Sequence, residues 1–189
     1  MITEAINGIE LVFETDHQQF SPHGIDKGTL AMLSTTNFTQ TEKVLDLGCG
    51  YGVVGIYAAK HIGENNVVMS DIDTKCIELS RKNADLNGVG GIKVVLSDGF
   101  DSIQDNDFSL ILSNPPYHSD FSIPKRFIEK GFNRLRVGGK MLMVTKRKDW
   151  YKNKLIAVFG GVLVNDIDGY FVFCSEKRST QYAKNNHKR

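Results

Sequence analysis

At 189 residues, 41% hydrophobic and 24% charged, the chain has the length and composition of one domain with a substantial core. Net charge is only +1, no apolar stretch is long enough to span a membrane, and the N-terminus carries no signal-peptide pattern. Cys49, Cys76 and Cys174 are far apart and form no CxxC pair, which predicts buried free thiols in a reducing cytoplasm. Five histidines without paired-ligand spacing predict no metal site.

Residues 9–13 alternate apolar with polar and read as a short strand, paired in a hairpin. A helix is expected over residues 26–36, with Leu30, Met32 and Leu33 toward the core. From 43 to 112 strand and helix alternate four times by hydrophobic period, which argues for parallel βαβ units. Asp73 and Thr74 begin one helix as an N-cap would, and Asn87-Gly88 closes it. Residues 121–135 form a further helix ended by Gly138-Gly139, before a strand over 140–145. Two final strand-like runs, 162–164 and 170–173, are separated by five residues, Asn165 to Gly169, and predict an antiparallel pair closing the sheet.

The first βα junction carries the chemistry. The run Gly48-Cys49-Gly50-Tyr51-Gly52-Val53-Val54-Gly55 sits between a short strand and a helical pattern, the setting of a nucleotide-type loop. Asp46, two residues before the first glycine, would repel a dinucleotide's pyrophosphate. It suits instead a cofactor with cationic groups, such as S-adenosylmethionine. Asp71 ends the next strand, about twenty residues on, where a ribose-binding acid belongs. Asp98 ends a third and could accept a hydrogen bond from an adenine amino group. Any one of these acids reads equally as a solvated loop carboxylate; together, on neighbouring strand ends, they form a constellation.

Asn114-Pro115-Pro116-Tyr117 follows the apolar strand 108–113. Neither proline has an N–H, so carbonyls are presented without competing donors from them. With the Asn114 amide oxygen and the Tyr117 ring, this suits a planar group bearing an NH2. A proline pair alone is also an ordinary stop after a strand.

Charge is unevenly spread. Residues 1–119 carry a balance of −9, residues 120–154 one of +8. The basic block holds Lys125, Arg126, Lys130, Arg134, Arg136, Lys140, Lys146, Arg147, Lys148, Lys152 and Lys154. A basic stripe beside a base-sized pocket is the footprint of a nucleic-acid reader, although the outer face of two helices gives the same composition.

On these motifs the chain resembles the class I S-adenosylmethionine-dependent methyltransferases. The Asn114-Pro115-Pro116-Tyr117 signature is similar to that of amino-methyltransferases, which act on exocyclic amines of bases or on glutamine amides. Within them it resembles the catalytic domain of bacterial small-subunit rRNA guanine-N2 methyltransferases. The likeness runs from residues 20–29 to the closing strands and includes His118, with Tyr117 where that family often has phenylalanine.

The resemblance implies one methyltransferase domain over 1–189, of class α/β. A strand-and-helix extension (1–40) covers the cofactor. A Rossmann-like core (41–189) holds a mostly parallel seven-stranded sheet with an antiparallel last strand and helices on both faces. S-adenosylmethionine is expected over Gly48, Gly50 and Gly52, with Asp46 and residues 24–29 near its methionine portion. Asp71 and Ile72 fall at the ribose, Asp98 and Gly99 at the adenine, and Asn114 at the junction with the target. Catalysis is assigned to Asn114, Pro115 and Tyr117. Substrate contact is assigned to Pro116, Tyr117, His118, Lys125, Arg126, Lys146 and Arg147. The implied partner is ribosomal RNA or a ribosomal subunit, met in the cytoplasm, with no membrane and no metal. The best-known members carry a second, degenerate domain before this one, which this chain is expected to lack. Adenine N6, a protein glutamine, or a non-catalytic cofactor-binding role are the other readings, and the oligomeric state stays open.

Overall fold

The computed structural model describes residues 1–15, 24–116 and 120–183. Strands β1 (Ile2–Ile6) and β2 (Ile9–Phe13) form an antiparallel hairpin turned at Asn7 and Gly8. Both turn residues have positive φ, 47° and 84°, as a tight hairpin matched to strand twist requires. Helix α1 (Lys27–Ser34) follows, then β3 (Val44–Leu47), α2 (Val53–Ile62) and, after a single 3-10 turn, β4 (Val67–Asp71). Next come α3 (Thr74–Leu86), β5 (Lys93–Leu96) and β6 (Phe108–Ser113). The chain continues through α4 (Ser122–Arg134), β7 (Leu135–Thr145), α5 (Lys148–Phe159), β8 (Leu163–Ile167) and β9 (Tyr170–Glu176).

Seven strands form one sheet in the order β5-β4-β3-β6-β7-β9-β8. Strands β5, β4, β3, β6 and β7 are mutually parallel, and β9 runs against β7. The β8–β9 hairpin turns at Asp168 and Gly169, again both at positive φ. This is the α/β architecture expected, with the antiparallel strand last.

Side chains alternate between two cores, one on each sheet face. Val44, Met69, Leu110, Leu112, Leu142 and Val144 join the core under α1, α2 and the hairpin. Leu45, Leu47, Ile111, Met141 and Met143 meet the aromatic core of α4 and α5, which includes Phe127, Phe132, Tyr151 and Phe159. The hairpin is fastened to α3 by two asparagines one turn apart. Asn87 accepts from Val12 N–H (3.0 Å) and donates to Val12 C=O (2.7 Å); Asn83 does the same for Glu14 (2.7 and 3.0 Å).

Four expectations need correction. Leu30 is exposed, and Ala31 joins Met32 and Leu33 in the core, because α1 presents a different arc to the sheet. No helix lies between β5 and β6; a loop there plugs the second core with Phe100 and Ile103. Gly138 and Gly139 do not stop α4. The helix passes straight into β7 at Leu135, and the glycines lie where the β6–β7 register shifts, with Gly139 tight against Phe108 C=O and Arg136 C=O. Helix α5 was not anticipated; its buried Tyr151, Leu155, Val158 and Phe159 recur at helical spacing among lysines.

Candidate active site

The carboxyl ends of β3, β4, β5 and β6 open into a cavity of about 400 Å³. In an open parallel sheet this edge, at the point where strand order reverses between β3 and β6, is where ligands bind. Among the described residues, those that line it all lie between Ile25 and Phe127.

The loop after β3 is tied down by its own amides. Gly48 and Cys49 both donate to Ser70 C=O at 2.9 Å, and Gly50 N–H donates to Asp71 Oδ2 at 2.9 Å. Gly48 and Gly50, at φ 77° and 54°, line the cavity, and a side chain at either would meet no protein atom within 4 Å. Bare backbone there leaves room for a ligand to approach the main chain. Gly52 differs from its assignment. It does not line the cavity but serves as the N-cap of α2, packed on Ile56 and Ser80. Gly55 is required by packing, since a Cβ there would collide with Met69.

That close approach lets Gly55 N–H donate to Asp46 Oδ2 at 2.8 Å. Asp46 is 3% exposed. Burial pushes its carboxyl up to about 7, against the pull of the Gly55 amide and with a smaller push from the Asp71 charge. An acid so placed is short of a cation.

Asp71 accepts Gly50 N–H through one oxygen and Asp73 N–H (3.0 Å) through the other, so its carboxylate is fixed at the cavity wall. Ile72 beside it is 66% exposed, an apolar side chain held over the opening. Facing the same space are Gly99, Ile123 and Phe127, which with Ile72 make an apolar slot at the β5 end.

Asp98 lines this slot, but its carboxylate is engaged by Arg126 from α4. Arg126 does not line the cavity; its guanidinium lies over Gly99. The sequence assigned Arg126 to the substrate; in the fold its guanidinium pairs with Asp98.

At the end of β6, Asn114 is built in from a distant helix. Its Nδ2 donates to Asp26 Oδ2 (2.8 Å) and Thr29 Oγ1 (3.0 Å), 88 and 85 residues away. Asp26 is the N-cap of α1, and the same Oδ2 accepts Thr29 N–H at 3.0 Å. A carboxylate only accepts, so the amide must present nitrogen to Asp26. Asn114 Oδ1 is thereby turned away, buried and without a hydrogen-bond partner. Pro115 and Pro116 line the cavity beside it. A buried carbonyl oxygen with no donor is costly, and its oriented state invites an N–H.

Residues 24–29 are expected near the cofactor, but nothing in the sequence indicates that Asp26 and Thr29 orient Asn114. The only trace is a helix-capping Asp-x-x-Thr pattern, which speaks of the helix and not of its contact. Tyr117 and His118 lie outside the described residues. Lys125, Lys146 and Arg147 are exposed and do not line the cavity. Of the thiols only Cys49 is buried; it and the half-buried Cys76 line the cavity. Desolvation raises both, Cys76 to about 12, so neither is a ready nucleophile. Among the described residues no cluster of metal ligands occurs, and no helix is long and apolar enough to cross a membrane.

Residues 10–174 match the model of the methyltransferase small domain. Uncharacterized protein YbxB of Bacillus subtilis is 28% identical over 174 residues, covering 89% of this chain and 87% of that protein. Ribosomal RNA small subunit methyltransferase C of Actinobacillus pleuropneumoniae is 37% identical over 147 residues, 75% of this chain and 44% of its own length. The structure of the T. thermophilus 16S rRNA N2 G1207 methyltransferase (RsmC), with AdoMet and guanosine, superposes at a TM-score of 0.84. It is 26% identical and covers 94% of this chain and 50% of its own. The chain thus spans about half the length of the methyltransferase C relatives. With residues 10–174 of the chain matched to the domain model and the fold and strand-end cavity in place, the chain belongs to the methyltransferase small domain family.

Proposed function

We propose that this domain transfers a methyl group from S-adenosylmethionine to the N2 amine of a guanine in small-subunit ribosomal RNA. One observation carries the reading: the Asn114 amide, at the cavity wall, is held through its nitrogen by Asp26 and Thr29, and its oxygen is left as an unpaired acceptor. The names of the methyltransferase C relatives support small-subunit ribosomal RNA, and the N2 G1207 activity and bound guanosine of the T. thermophilus protein support guanine over other amines.

The residues fit the cofactor. Asp46 is a buried acid that a neighbouring cation would hold ionised. Asp71, fixed by two amides, retains lone pairs for ribose hydroxyls. Ile72, Ile123 and Phe127 bound a flat apolar slot for a purine, with Asp98 at its rim.

Bound there, S-adenosylmethionine supplies an electrophilic methyl on a sulfonium, a leaving group that needs no protonation. Asn114 Oδ1 and the Pro115 carbonyl each accept one N–H of the target amine, which directs the nitrogen lone pair into the cavity. The prolines supply no donor to compete for these acceptors. The amine sheds its proton after the bond forms, so no residue must act as a strong base. Fixing the amine in line supplies several kcal/mol of barrier lowering, of order 7 in favourable cases. A guanine in a helix must first be flipped out, at a cost of a few kcal/mol.

Methyl transfer from labelled cofactor to unmodified small-subunit RNA and to small subunits, read by nucleoside mass spectrometry, tests this. The wild type should form N2-methylguanosine. Asn114→Ala should lose about 100-fold or more in kcat, the scale of one removed transition-state hydrogen bond, with cofactor Kd within twofold. Label on N6-methyladenine or a protein glutamine would move the target amine, and normal turnover by Asn114→Ala would remove that residue from catalysis.

A further inference from the structure

The eleven basic residues between 120 and 154 look continuous along the chain, but the fold sets two groups among them apart. Four of those on α4 and α5 are engaged within the protein. Arg126 pairs with Asp98, Lys130 with Asp101 (2.6 Å) and Lys154 with Glu129. Arg134 donates to Asp105 C=O at 2.9 Å and to Asn106 Oδ1 at 3.0 Å.

Lys146, Arg147 and Lys148 are arranged differently. They follow the last residue of β7, at the same sheet edge as the cavity, and all three are exposed. Each lies over an aromatic ring: Lys146 Nζ 4.8 Å from the centre of Tyr170, the Arg147 guanidinium 5.1 Å from Phe121, and Lys148 Nζ 5.2 Å from Phe171. Phe121 is itself backed by Trp150, stacked at 4.4 Å. Among the described residues Lys146 and Lys148 enter no ion pair, and Asp149 is the sole acid between 146 and 152. A ring holds a cation by its quadrupole and carries no net charge. Lys146 and Lys148 are therefore positioned without being neutralised.

Their place in the sheet gives them a partner. Ser113 pairs with Met143, so β7 leaves the sheet beside Asn114 and the cations begin two residues after Val144. Thr145 pairs with Phe171, which brings Tyr170 and Phe171 to the same edge. Across that edge, from β5 to β6, come the apolar slot, the Asp71 carboxylate, the glycine loop and the amine acceptor. One strand spacing further, about 5 Å, stand three cations on aromatic mounts.

We propose that Lys146, Arg147 and Lys148 form a phosphate rail for the RNA strand that flanks the target nucleotide. The proposal rests on the RNA reading of the site and sharpens it: the strand crosses the β7–β9 end, and the outer face of α4 takes no part. Each cation set on a phosphate of a single strand releases counterions and steepens the salt dependence by about 0.7.

The test compares two charge-matched double variants for binding to an unmodified small-subunit RNA transcript over a salt titration. Lys146→Ala/Lys148→Ala should raise the RNA Kd about tenfold at low salt and flatten the log–log salt slope by about 1.4. Its cofactor Kd and its kcat at saturating RNA should stay within twofold. Lys130→Ala/Lys140→Ala, which removes the same charge elsewhere, should leave RNA Kd within twofold. Equal losses in both variants, or no loss at 146 and 148, would overturn the rail while leaving RNA methylation intact. A wild type that neither binds nor methylates RNA would overturn the functional reading and the rail together.

Discussion

Replacing Asp46 by Asn separates what burial costs this carboxylate from what a cationic ligand returns. Asp46 is 3% exposed and its carboxyl sits near 7, raised first by desolvation, whereas the unfolded chain offers the ordinary 3.8. The difference is roughly 3 units, or about 4 kcal/mol at 1.36 kcal/mol per unit. The sign follows from proton counting. Between about pH 4 and 7 the folded state holds a proton that the unfolded state has lost, so stability falls as pH rises through this window. Below 4 both states are protonated and the native advantage is complete; above about 8 it is gone. Without cofactor, wild-type stability should therefore drop between pH 5 and pH 8 by roughly 2.5 kcal/mol more than that of Asp46→Asn, the remainder being lost below pH 5. Urea denaturation at pH 5, 6, 7 and 8 measures this directly. Cofactor affinity should run the other way, rising with pH up to about 7 in the wild type because a cation favours the ionised acid. Calorimetry in buffers of different ionisation enthalpy should show proton release near pH 6.5 that Asp46→Asn lacks. Parallel stability curves for the two proteins from pH 5 to 8 would refute the reasoning, since the acid would then titrate as if solvated.

Asp26→Ala should lower kcat at least tenfold and cost about 1 kcal/mol as a lost N-cap, while Asp26→Asn, which can still accept, should restore most of both. Equal kcat in Asp26→Ala and wild type would show that Asn114 needs no such support. Asp98→Ala and Arg126→Ala should each weaken cofactor binding, and the double variant should lose less than their sum, because Arg126 acts through Asp98. The pair is surface-exposed, so melting should shift little, within roughly 1 kcal/mol; additive losses in Kd would break the link. Gly55→Ala should destabilise by about 1–3 kcal/mol through its collision with Met69, and a smaller residue at 69 should recover part of it in thermal melts.

Much of this architecture was legible because it depends on local pattern. A four-residue apolar strand, a glycine run and an apolar helix can be read within twenty residues, and so Asp46, Asp71, Asp98 and Asn114 were placed at strand ends before any fold was known. What stayed hidden depends on contacts between distant segments. Asn114 is oriented from 88 residues away, and no periodicity encodes which helix end will dock on β6. Arg126 lies in the same basic run as Lys146, yet one meets an acid and the other a ring, because Arg126 reaches the loop after β5 while β7 exits toward β9. Glycines misled where two roles share one residue type: Gly52 caps a helix, and Gly138 and Gly139 shape a strand irregularity and end no helix.

The strand order itself carries a consequence for how the two ligands are read. The groups proposed to hold the cofactor come from β3, β4 and β5, and the cations of the proposed rail follow β7, over rings of its neighbour β9, with β6 between them. Parallel strands in one sheet cannot shift independently, so the Asn114 acceptor is held at a fixed distance from both halves. Changes at Asp46 or Asp71 should then alter cofactor binding with RNA Kd preserved, and changes at Lys146 or Lys148 the reverse. Only residues at the junction, Asn114 and the Asp26 and Thr29 that orient it, should alter turnover with both affinities intact.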